Sequence, residues 1–147
     1  MTLKSYAFTK ELNFTDMEVM PVHLGNINDR YYFSFANNVT PPSGGKNVSQ
    51  EEISDLRENG VLFKQIKQKA EDRILSVAPL WRQQNALVDL YILGQKETLT
   101  AEEQQKSDQA KELIEIIQAI RGRSNEIENS LLNGTPIDHL SDHAWDL

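Results

Sequence analysis

The chain has 147 residues, 25% of them charged and 39% apolar, a net charge of −7 and no cysteine. That length suits one domain with a real core, and the missing cysteines exclude disulfide and thiolate chemistry. The acidic balance, about −3 over residues 1–60 and −4 over the rest, repels phosphate backbones and speaks against nucleic acid as a partner. No apolar run approaches a membrane span or a secretory signal, so a cytoplasmic setting is expected.

Residues 1–47 hold four of the five Phe and three of the four Tyr, punctuated by Asn, Gly and Pro. Ser5-Tyr6-Ala7-Phe8-Thr9 and Tyr32-Phe33-Ser34-Phe35-Ala36 alternate polar with apolar, as half-buried strands do. Leu24-Gly25-Asn26-Ile27-Asn28-Asp29 reads as a turn between them. About three strands are expected, too few to be stable unless packed on helices. Thr40-Pro41-Pro42-Ser43-Gly44-Gly45-Lys46-Asn47 reads as a linker, its prolines and glycines suiting neither a helix nor a central strand.

Ser49 with Glu52 forms a capping box, and Val48 with Ile53 a hydrophobic staple, opening a short helix that Asn59-Gly60 ends. Two apolar-periodic runs follow, at about 61–93 and 101–132, separated by Gly94-Gln95-Lys96-Glu97-Thr98-Leu99. Helices of ~32 residues would each be ~48 Å long, so the second can fold back along the first. In the first run Ile66, Ala70, Ile74, Val77, Trp81, Val88 and Ile92 define one face. Pro79 interrupts it and predicts a kink or short break near Ala78. Thr100-Ala101-Glu102-Glu103 caps the second run, whose seam is Ala110, Leu113, Ile117, Ile120, Ser124, Ile127 and Leu131. Ile114 and Ile116 broaden that stripe and call for a further covering element. Asn133-Gly134-Thr135-Pro136 stops the helix.

The expected fold is therefore α+β and mainly α. A β-rich region with its linker (1–47) precedes a helical-hairpin region (48–134), whose first long helix is kinked near Pro79, and an acidic tail (135–147) follows.

No catalytic or cofactor motif stands out. His139 and His143, four apart beside Asp138 and Asp142, could share a metal, but two imidazoles are not a site and a solvated or docked tail is the plainer reading. Arg121, Arg123, Lys64, Lys67, Lys69 and Arg73 read as solvated charges on amphipathic helices. Ser43-Gly44-Gly45-Lys46 lacks the spacing of a phosphate-binding loop, and His23 has no nucleophile in its motif. Neither a metal, a cofactor nor a small-molecule substrate is expected. Aromatic anchors for a protein partner are sought at Tyr32, Phe33, Phe35, Trp81 and Trp145.

The phrases Arg73-Ile74, Ala78-Pro79-Leu80-Trp81-Arg82-Gln83-Gln84-Asn85-Ala86, Leu99-Thr100-Ala101-Glu102-Glu103, Ile117-Gln118-Ala119-Ile120-Arg121 and Ser124-Asn125-Glu126-Ile127-Glu128 form a familiar set. Together, over roughly residues 49–132, they resemble the C-terminal helical part of small tail fibre assembly and tail-associated proteins of tailed bacteriophages and prophages. The β-rich opening followed by Val48-Ser49-Gln50-Glu51-Glu52 is similar in layout. The resemblance implies a non-enzymatic assembly helper in the host cytoplasm, free or retained on the virion tail. Its N-terminal strands would hold the fibre while the hairpin supports or oligomerises it. Two other readings are a permanent tail or baseplate component, and a small regulatory or antitoxin-like binding module.

Overall fold

A computed structural model describes residues 2–147 of the chain. The fold is α+β and mainly α: four α-helices and a short 3-10 turn among the described residues bring the helical content to 53%, after a small antiparallel sheet. The chain divides into two compact units. One takes the residues up to Gln68 together with Ser124–Asp146, and the other takes Lys69–Arg123.

In the first unit, strands β1 (Thr2–Ala7), β2 (Val22–Ile27), β3 (Arg30–Phe35) and β4 (Lys46–Asn47) form a sheet in the order β2-β3-β1-β4. Every pairing is antiparallel. The segment expected to be a turn is thus mostly strand β2. Gly25, at φ +143°, sits in a bulge that shifts its register between His23 and Gly25, a conformation closed to most side chains. The reversal itself is confined to Asn28 and Asp29, whose φ values of 53° and 56° match the two-residue hairpin turn that follows strand twist. The expected linker is also structural. Lys46 and Asn47 pair with β1, Tyr6 donates from its hydroxyl to the Pro42 carbonyl at 2.8 Å, and a Cβ on Gly45 would lie 2.8 Å from the Tyr6 ring.

Helix α1 (Gln50–Asn59) opens with the expected capping box, Ser49 and Glu52 exchanging hydrogen bonds. It lies against β2. Because strand side chains alternate, β3 serves two layers. Tyr32 and Ser34 face the helices, where the Tyr32 hydroxyl donates to Glu52 Oε2 at 2.7 Å and the Ser34 hydroxyl donates to the Leu131 carbonyl. Phe33 and Phe35 face a loop layer with Tyr6, Leu12, Phe14, Met17 and Val39.

Helix α2 (Val61–Val77) and helix α4 (Ala101–Leu132) each contribute to both units. The expected seam of α4 is the observed one: Ala110, Leu113, Ile117, Ile120, Ser124, Ile127 and Leu131 are all buried. The expected capping box holds as well, with Glu103 N–H donating to Thr100 Oγ1 at 3.1 Å and Thr100 N–H to Glu103 Oε1 at 3.2 Å. At the far end Gly134 (φ +80°) donates to Leu131 O and Thr135 to Ser130 O, the paired bonds of a Schellman stop. Ile116 is not covered as expected but stays exposed.

In the second unit the first long run is two helices. α2 ends at Val77, and α3 (Leu80–Gly94) begins after the extended Pro79. α3 runs antiparallel to the first half of α4: Asp89 and Lys106 form an ion pair at 3.4 Å, and Arg82, Asn85 and Ala86 share a 180 Å³ groove with Gln109, Ala110 and Leu113. Lys96 and Glu103 bond across the connection.

Candidate partner-binding face

Of the five aromatic anchors sought, four are inside the first unit. Tyr32, Phe33, Phe35 and Trp145 are buried, so their area is spent on the chain's own core, not on a partner. Both faces of β3 are covered, which removes the expectation that the strands present a binding surface there. Trp145 ends a short 3-10 turn (Asp142–Trp145) and donates its indole N–H to the His139 carbonyl at 2.9 Å. His139 in turn bonds Gln65 at 2.9 Å while His143 pairs with Asp146 at 3.0 Å, so the two imidazoles have separate partners. Among the described residues no three His, Asp or Glu side chains converge as a ligand set.

The polar chemistry of the first unit serves packing. His23 stacks on Phe33 at 4.9 Å and bonds Asn26 Oδ1. The Tyr32 hydroxyl is the leading reason that the Glu52 carboxyl is held below its ordinary value; burial opposes it, and Ser49 assists. Glu128 is buried, 3.9 Å from the Arg57 guanidinium. Burial raises its pKa against the pull of Lys67 and Arg57. Arg57 also donates to Asn129 Oδ1 at 2.9 Å, and Lys67 donates to the Arg57 carbonyl at 2.6 Å. A 400 Å³ groove beside them is lined by Gln50, Ile53, Ser54, Arg57, Asn129, Leu132 and Asn133. Arg57 is the one ionisable side chain in that lining, so the groove offers hydrogen bonding but no acid–base pair.

Trp81 is the anchor that remains, and it is not in the core of the second unit as its spacing from Ile74 suggests. Ala78 and Pro79 are non-helical, so α3 restarts in a new phase. It turns Ala86 and Leu93 inward, with Ala86 small enough for close approach to Ala110. At 3.6 residues per turn the opposite side carries Leu80, Trp81, Gln84, Leu87, Val88, Tyr91 and Ile92. The six apolar members are each 51–72% exposed. Trp81, Gln84, Val88 and Tyr91 step by three and four, the spacing of a helix-packing seam. The stripe spans about 140° of the helix circumference at 100° per residue and contains no Asp, Glu, Lys, Arg or His. Its nearest charges, Arg82 and Asp89, lie toward α4, where Asp89 is paired with Lys106.

The apolar stripe of a helix ordinarily faces a core; the stripe of α3 from Leu80 to Ile92 is left uncovered. At about 200 Å² for each fully exposed side chain of this size, the six uncovered residues present roughly 700 Å². A typical monomer's largest apolar patch is roughly 300–600 Å². The signal that could have located this face is the Pro79 break, taken as a reset of helical phase and not merely as a bend.

No family model, curated protein or solved structure matches this chain. No helix among the described residues is long and apolar enough to cross a membrane.

Proposed function

We propose that this chain is a non-enzymatic protein-binding module that acts as an assembly helper for a phage or prophage tail fibre. The observation carrying the binding role is the uncharged apolar face of α3, exposed over three helical turns on a hairpin that already buries its other side. Aromatic and aliphatic side chains held on a rigid element are the usual anchors of protein interfaces. The choice of a fibre as client rests on the resemblance of residues 49–132 to tail fibre assembly proteins. Unassembled fibre chains expose β-edges and apolar surface that aggregate, and a helper with a preformed apolar face shields such surface until trimerisation hides it. Its place of action is the host cytoplasm during assembly, with or without retention on the tail.

The test is co-expression with the fibre chain encoded beside this one. The expected result is soluble trimeric fibre with the helper present and aggregated fibre without it. Trp81→Glu in the helper should abolish the rescue while leaving the helper's own helix content unchanged. A fibre equally soluble and trimeric without the helper would remove the role.

A further inference from the structure

We infer that the α3 face is covered by a second copy of this chain, so that the free protein is a two-fold homodimer. This deepens the reading above, because it names what occupies that face before a client does. Three observations favour a second copy.

The first is area. The roughly 700 Å² presented by α3 is close to the ~800 Å² that each partner contributes to a standard protein interface. Two such faces laid together need no further surface to reach that class.

The second is charge. Each chain carries −7, so two copies repel over most of their surfaces. The stripe from Leu80 to Ile92 holds no charge on either copy, and burying it against itself strands no ion in an apolar contact. Gln84, its one strongly polar member, can bond its counterpart or the Tyr91 hydroxyl.

The third is shape. Trp81, Gln84, Val88 and Tyr91 repeat the three-four spacing that lets helices interdigitate. A helix face with this spacing complements a copy of itself, as a two-fold contact demands. Val88 lies near the middle of the stripe, close to the axis that such a contact creates.

Two measurements on the full-length chain test the dimer. Sedimentation equilibrium at micromolar concentration should give twice the chain mass for the wild type and the single-chain mass for Val88→Glu. The circular dichroism spectrum of that variant should match the wild type, because the position is exposed in the isolated chain. The absence of native cysteine makes Val88→Cys a clean probe near the axis. Mild oxidation should give a covalent dimer for Val88→Cys and none for Glu115→Cys on the exposed side of α4. A wild type of single-chain mass overturns the inference. So does a dimer that survives Val88→Glu and gives no Val88→Cys cross-link. This inference and the helper role fail separately. A monomeric wild type that still rescues the fibre sinks the dimer alone, whereas a fibre indifferent to this chain sinks the helper role and leaves the dimer in place.

Discussion

Gly134 and Gly122 should respond to alanine in opposite directions. Gly134 ends α4 at φ +80°, where an L side chain costs about 1–2 kcal/mol in backbone strain. Its added Cβ would also lie 2.5 Å from the Phe35 carbonyl carbon and 2.6 Å from the Ala36 nitrogen. Both are backbone atoms, so no rotamer change relieves the overlap. The helix end and strand β3 must separate by nearly 1 Å, which loosens the bond from the Ser34 hydroxyl to the Leu131 carbonyl. Overpacking of this kind costs about 1–3 kcal/mol, and the two contributions together give about 2–5 kcal/mol. For a chain of this size that lowers Tm by roughly 5–15 °C. Gly122 is in the interior of α4, with nothing within 4 Å of the position its Cβ would take. There alanine should stabilise by about 1 kcal/mol through helix propensity alone. In a Trp81→Phe background the buried Trp145 reports the first unit by its fluorescence, and circular dichroism reports total helix. A Gly134→Ala protein whose Trp145 transition stays within a degree of its parent would refute the reasoning, as would a Gly122→Ala protein that melts earlier.

Ile120→Asp buries a carboxylate in the α4 seam and should cost about 3–5 kcal/mol; an unchanged melting temperature would mean that this side of α4 is not packed. Thr100→Ala removes the side-chain half of the α4 capping box and should cost about 1 kcal/mol, read as a shifted urea midpoint. Glu128→Gln tests the buried carboxyl. Its folded pKa is raised by burial, so the native state holds that proton more tightly than the unfolded chain. The resulting stability is full in acid and is lost as pH rises from the ordinary carboxylate value through the raised one. The variant cannot ionise there, so its stability relative to wild type should improve as pH rises above the ordinary carboxylate range; a difference that is flat or moves the other way would contradict the assignment. Amide hydrogen exchange should find the 101–132 helix more protected than the segment around Pro42, and equal rates would count against the α4 seam.

Local signals carried the helix ends and the α4 seam into the structure almost unaltered. A capping box is written within four residues, and a seam within seven, so Ser49, Thr100 and the row from Ala110 to Leu131 were legible without knowledge of any neighbour. Longer-range packing was not. The role of Tyr32, Phe33 and Phe35 depends on both layers around β3, which come from residues far along the chain: Glu52 and Leu131 on one side, Phe14 and Val39 on the other. Strand β2 was hidden because its glycine bulge and polar residues imitate a turn. The face of the first long run was lost at Ala78-Pro79. Two non-helical residues there separate the side that continues Ile74 from the side that α3 buries, Ala86 and Leu93, by roughly a third of a turn.

The composition of α3 follows from which side it leaves uncovered. Ala, Leu, Glu and Lys stabilise an exposed helix better than Trp, Val, Tyr or Ile, by up to about 0.7 kcal/mol per residue. On a face exposed to water the latter four also carry apolar area that gains nothing from folding. Trp81, Val88, Tyr91 and Ile92 are therefore poor choices for the isolated helix and add little to the isolated hairpin, in which the buried side chains of α3 are Ala86 and Leu93. They become favourable only when something removes them from water, at about 25 cal/mol for each Å² covered. Measured against the fold of one chain these side chains have no structural task, and that mismatch is what directs attention outward from α3 to another polypeptide.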